Sequence, residues 1–176
     1  DLVVQKKWGQ AYDVSSKLIK LKNIPDSAVY THITICLNAG KKNEAWDLSV
    51  SLYNKNPKDE SVLQNYIKTL ISTGRTSEAS KLISLNLETA SAKLKSFLFY
   101  QRSLLQSSQE AVLVDLRSSL TANPRNKDAL FRLYKIYYEK KEYRKAQYYL
   151  KQVVSLSPSD ENLLKLNSEL EALLSK

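Results

Sequence analysis

Gly40-Lys41-Lys42-Asn43-Glu44-Ala45 and Gly74-Arg75-Thr76-Ser77-Glu78-Ala79 are the stretches whose likeness decides the fold. Each sets a glycine, a basic residue and a glutamate ahead of an alanine, and the two alanines lie 34 residues apart. The pattern returns, more loosely kept, in Lys6-Lys7-Trp8-Gly9-Gln10-Ala11, Ser108-Gln109-Glu110-Ala111 and Lys141-Glu142-Tyr143-Arg144-Lys145-Ala146. Successive alanines are separated by 34, 34, 32 and 35 residues. A proline closes most copies, at Pro25, Pro57, Pro124 and Pro158, and the one due near Ser91 is missing. Such a period belongs to arrays of helical hairpins, in which one hairpin cannot bury its apolar face alone and neighbours stack to cover it.

The last full copy shows the physics most plainly. Leu130, Leu133 and Tyr137 recur at helical spacing and fill a seam, while Ala146 lets a second helix approach the first closely. Leu150, Val153 and Leu156 continue that second helix, and Pro158 cannot extend it. With only three Gly and four Pro, the chain has too few turn residues for many strands and hairpins. Gly40 and Gly74 fall between paired helices, where a tight turn needs them.

The small residue early in a second helix, the closing proline and the period near 34 residues resemble the tetratricopeptide repeat. Other helical-hairpin families share these packing rules. The resemblance covers nearly the whole chain. It divides a single repeat domain, 1–176, into a partial repeat at 1–25, full repeats at 26–59, 60–93, 94–126 and 127–160, and a capping helix at 161–174. The third full repeat is one residue short, in the turn around Gln106–Ser108, and its close-packing place falls on Ala111 or Val112. The fold implied is an all-α solenoid wound into a right-handed superhelix.

An apolar share of 43% and a charged share of 26% suit a soluble folded protein. No apolar run reaches the roughly 20 residues a membrane span requires. Beginning at Asp1 and lacking Met, the sequence is expected to be a fragment of a longer chain. One cysteine leaves the compartment open between cytoplasm and, if a leader has been removed, periplasm.

Catalytic chemistry finds few materials. The single histidine, His32, stands one helical turn from the single cysteine, Cys36. Both fall where the repeat places core residues, and a metal site needs further ligands, so a packed pair is expected and no metal or cofactor. Glu44 and Asp47 are read as solvated carboxylates that nothing pairs, and no Gly-rich phosphate loop exists. The chain is therefore read as a binding protein and not an enzyme. Trp8, Trp46 and the tyrosines from Tyr134 to Tyr149 are read mainly as core, with Tyr138 and one of Tyr148 and Tyr149 reaching the surface.

The resemblance further implies that first helices line a concave groove. Aligned by repeat, one rung holds Thr34, Lys68, Arg102 and Lys135; others hold Tyr30, Gln64, Leu98 and Phe131, then Thr31, Asn65, Phe99 and Arg132. A fourth holds Ser27, Ser61, Lys95 and Asp128, and Tyr138 completes the expected surface. One branch of the family grips a chaperone's terminal carboxylate with five Lys, Asn and Arg side chains. Here only Asn65 and Lys95 match, while Tyr30, Thr34 and Phe99 take the other places, so that clamp is absent.

A groove of this composition, in a chain of net charge +9, is suited to an acidic or mixed acidic-apolar segment of another protein. A second basic feature, Lys6-Lys7, Lys41-Lys42, Arg75 and Lys140-Lys141, follows the turns and is read as solvation of an edge with few aromatics beyond Trp8 and Tyr143. Self-assembly into an oligomer is the alternative function. Nucleic-acid binding through the basic face ranks below it, for want of interleaved exposed aromatics.

Overall fold

A computed structural model describes residues 2–175; Asp1 and Lys176 lie outside the described residues. Ten helices are found among them: α1 (Trp8–Leu18), α2 (Asp26–Asn38), α3 (Lys42–Lys55), α4 (Glu60–Ser72), α5 (Thr76–Leu87), α6 (Ala92–Leu105), α7 (Gln109–Ala122), α8 (Lys127–Glu139), α9 (Tyr143–Leu156) and α10 (Glu161–Leu174). The chain forms two compact units, Asp1–Leu85 and Asn86–Lys176.

Two recurring turns punctuate the helices. Where a second helix ends, Asn56, Asn123 and Ser157 each accept a hydrogen bond from the residue three positions on, across Pro57, Pro124 and Pro158. Proline suits the second place of such a turn because its ring presets φ. The donor residue of each turn then caps the next helix. Asp59 accepts from Ser61 and Val62, Asn126 from Ala129, and Asp160 from Leu163, satisfying backbone N–H groups that have no partner within the helix.

Within a helix pair the turn is left-handed. Gly40 (φ +77°) and Gly74 (φ +83°) carry it, and Lys6 and Lys141 adopt the same conformation at φ +55° and +59°. At Gly40, Gly74 and Lys141, two backbone bonds close the helix end, as in Lys41 N–H to Cys36 and Glu142 N–H to Tyr137. The turn between α6 and α7 lacks this conformation: Gln106 is extended at φ −75°, ψ 137°, and Ser108 caps α7. Val112, not Ala111, takes the buried place at the start of α7, in line with fully buried Ala45, Ala79 and Ala146 on α3, α5 and α9.

In the first unit, Ile33, Cys36, Ala45, Leu52 and Val62 form a core, with Tyr12, Leu48 and Tyr53 packed against it. The second unit has a larger one, built on Leu116, Leu130, Leu133, Leu150, Val153 and Leu170. Asn126 ties its layers, its amide donating to Ser96 and Ser119 at 2.9 and 3.0 Å. No helix among the described residues is long and apolar enough to cross a membrane.

Candidate functional site

Each unit is taken by itself. In the second, α6 and α8 present Lys95, Phe99, Phe131, Arg132, Lys135 and Tyr138, all half-buried except the exposed Lys135 and Tyr138. The Lys135 ammonium lies 4.8 Å from the Phe131 ring centre, and the Arg102 guanidinium 5.1 Å from that of Phe99. Such stacking keeps long basic side chains over aromatic faces without removing their charge. Arg132 donates to the Ser103 hydroxyl at 3.0 Å, which fixes its direction. Arg132, Lys135 and Glu139 rim a cavity of 330 Å³ whose lining includes Val112 and Ile136.

Two groove expectations are corrected here. Leu98 is fully buried and offers a partner nothing. Its rung-mates Tyr30 and Phe131 are half-buried, but a purely aliphatic side chain has no polar tip to hold it at the surface and is drawn out of water. Arg102 is not a free cation of the groove either. Its Nε donates to both oxygens of Asp115 at 3.0 and 3.1 Å, and Asp115, on α7, is 1% exposed. Nη2 of Arg102 adds a third bond, and Gln106 a fourth at 2.9 Å. A carboxylate on the buried stripe of α7, between Val112 and Leu116, must be paired, and Arg102 pairs it. That stripe was the signal in the sequence.

In the first unit, α2 and α4 carry Tyr30, Thr34, Asn65 and Lys68. The Thr34 hydroxyl donates to the Tyr30 carbonyl and the Asn65 amide to that of Ser61, each one turn back on its own helix. Thr34 and Lys68 are exposed, Tyr30 and Asn65 half-buried.

The chain is similar in structure to a thermophilic tetratricopeptide-repeat protein of Thermus thermophilus, at 17% identity and a TM-score of 0.60, covering 85% of this chain and 83% of that one. It is also similar to the C-terminal part of a tetratricopeptide-repeat protein from Cytophaga hutchinsonii, at 16% identity and a TM-score of 0.53, covering 99% of this chain and 69% of that one. The fold is that of tetratricopeptide repeats. No family model and no curated protein matches the sequence.

The turn edge of these helical hairpins holds more aromatic surface than its sequence suggests. The Arg75 guanidinium sits 3.7 Å from the centre of the Trp46 ring, whose other neighbour is Tyr66 at 5.7 Å, and Lys41 lies 5.3 Å from the centre of Tyr12. Trp46 and Tyr12 were missed as partners because they stand on a neighbouring helix, far from these cations in sequence. Of the tyrosines, Tyr134 and Tyr137 are buried, whereas Tyr138 and Tyr148 are 40% and 64% exposed.

Glu44 was also misjudged. It is half-buried, accepting from the Tyr12 hydroxyl at 2.6 Å and lying 3.1 Å from Nε2 of His32. The Tyr12 hydrogen bond, and after it the bond from His32, holds the Glu44 carboxyl below its usual range against the opposing effect of burial. The same hydrogen bond pushes the Tyr12 phenol up to about 12. His32 and Cys36 are both fully buried, 3.3 Å apart. Asp47 is exposed, as expected.

Proposed function

We propose that this chain is a protein-interaction scaffold, and that the surface of α6 and α8 takes an acidic segment with interspersed apolar residues. One observation carries the reading: Arg132 and Lys135 line one cavity together with Val112 and Ile136. Cations at the rim would accelerate encounter with an acidic chain, and an apolar floor would slow its departure. Phe131 and Tyr138 add aromatic contact of the kind that concentrates binding energy. The fold supports the class of function, since stacked hairpins offer extended surfaces more readily than enclosed reaction sites.

The test uses two fluorescent peptides, one alternating Glu and Asp with Leu and Phe, the other with Lys replacing every acid. The first should bind with a salt-sensitive affinity and the second should not. The double change Arg132→Glu, Lys135→Glu should weaken the first by at least about tenfold, and Lys41→Glu, Lys42→Glu should leave it within about twofold. Arg102 is excluded from the variant set because its reversal would bury two unpaired carboxylates. Loss of binding in the turn-edge variant alone would move the site to that edge.

Self-association is the second reading. A cavity of 400 Å³ in the first unit is lined by Leu2, Val3, Ala11, Val14, Leu18 and Ile35 among others, and Val14 and Leu18 are each 52% exposed. Light scattering over a concentration series separates the two, because only an associating chain changes mass.

A further inference from the structure

The first unit contains a group of polar side chains that interaction through the second unit does not use. His32 and Cys36, one turn apart on α2, point to the same side of that helix. Glu44, in the first turn of α3, meets them there. Nε2 of His32 lies 3.1 Å from Oε1 of Glu44 and 3.3 Å from Sγ of Cys36, and the three atoms all lie within 4.8 Å of one another. We propose that His32, Cys36 and Glu44 form a binding site for a divalent transition metal ion of the zinc type, with a fourth position open to water.

The donor set is one nitrogen, one sulfur and one carboxylate oxygen, the three atom types zinc takes. Bond lengths of about 2.0–2.3 Å place tetrahedral ligand atoms roughly 3.3–3.7 Å apart, so the two spacings from His32 are close to those of a filled site. A thiolate and a carboxylate balance the charge of a divalent ion, so the filled site is neutral where it is buried. Glu44, whose side chain is 35% exposed, provides the way in.

The surroundings do what outer partners of a metal site do. Nδ1 of His32 lies 2.7 Å from the Ser15 hydroxyl, which also reaches the Tyr12 carbonyl at 3.3 Å. Placed between that carbonyl and the ring, the hydroxyl can accept from Nδ1–H while donating to Tyr12. With Nδ1–H held by Ser15, Nε2 turns its lone pair toward Glu44 and Cys36, so an ion could replace the proton that Nε2 otherwise shares with the carboxylate. The Tyr12 hydroxyl holds the far oxygen of Glu44.

The next repeat shows what these places look like without ligand atoms. Thirty-four residues on, His32, Cys36 and Glu44 become Tyr66, Leu70 and Glu78. There the Tyr66 hydroxyl donates to Glu78 at 3.0 Å and Leu70 is fully buried, which fills the same space with a phenol and an aliphatic side chain. The histidine and cysteine of the first full repeat are thus not required by the fold.

Zinc takes the thiolate, so the Cys36 thiol gives up its proton when the ion binds. Binding then converts M²⁺, Cys–SH, neutral His and carboxylate into the complex plus one proton, which leaves to solvent. Affinity should therefore rise with pH.

The experiment uses the full chain, stripped with a chelator and titrated with Zn²⁺ alone or with Co²⁺ as a coloured substitute. One equivalent of Co²⁺ should produce a thiolate-to-metal charge-transfer band, and Zn²⁺ should displace it and raise the melting temperature. Cys36→Leu, which copies the next repeat, should abolish the band while keeping helicity. Glu44→Gln, at a half-buried place that tolerates a change, should weaken Zn²⁺ binding at least about tenfold. Absence of the band in the unaltered chain would overturn the proposal. So would Zn²⁺ affinity that neither substitution changes, which would mean the ion binds elsewhere.

Discussion

Lys141 stands where the repeat elsewhere uses glycine, and changing it should stabilise the protein. Its φ of +59° matches +77° at Gly40 and +83° at Gly74, and the backbone bonds that close the turn are equivalent. A Cβ built at either glycine meets nothing within 4 Å, so the constraint is the backbone conformation and not crowding. An L-residue held in the left-handed region costs about 1–2 kcal/mol. Glycine gives back about 0.5–1 kcal/mol through the freedom it adds to the unfolded chain. The difference leaves Lys141→Gly more stable by about 0.5–1 kcal/mol. Because that change also removes a charge, Lys141→Ala is the reference: it loses the ammonium and keeps the Cβ. Denaturant midpoints should rank Gly above Ala, with melting temperatures roughly 1–4 °C apart. Gly74→Ala should lose stability by a similar amount. Equal stability of the Gly and Ala variants at 141 would refute the reasoning, since the strain would then be absent or absorbed by the turn.

Two further outcomes are expected. Replacing Ala146, fully buried on α9, by Leu should overpack the seam and cost about 1–3 kcal/mol in chemical denaturation, while Leu at exposed Ser77 should be close to neutral. Burial, and after it the bond to Glu78, pushes the Tyr66 phenol up to about 12, above its ordinary value of 10.0. A raised value favours the protonated phenol in the folded state, so this contribution is complete below pH 10 and is lost as pH rises toward 12. Tyr66→Phe should flatten the alkaline fall in stability over that window. An unchanged slope would mean that the phenol titrates as it does in the unfolded chain.

The fold was legible because its determinants are local and repeated. An alanine before a close approach, a glycine in a left-handed turn and a proline two residues after a helix end each state their purpose within a few positions. The capping residues Asp59, Asn126 and Asp160, two places after their prolines, belong to the same class. The binding surface was less legible, for reasons that lie between helices. Whether Arg102 is available depends on Asp115, 13 residues away on the other helix of the pair. Glu44 looked solvated because its partners, Tyr12 and His32, are reached only after two turns are folded. Leu98 was assigned by rung, and a rung specifies an angle around the helix without specifying how deep that side sits.

The packing of Trp46 against Arg75 and Tyr66 has a practical bearing on how this molecule can be observed. Both indoles of the chain, Trp8 and Trp46, belong to the first unit, and seven of the eleven phenols, from Tyr100 to Tyr149, belong to the second. Emission from the indoles is therefore a local signal, and Trp46 will change colour and brightness when the guanidinium and phenol move away from it. Ellipticity at the peptide bond is a global signal that counts every helix. Recorded together during denaturation, the two curves superimpose only if both halves lose structure at once, and any gap between them measures how separately each half melts, with no label attached.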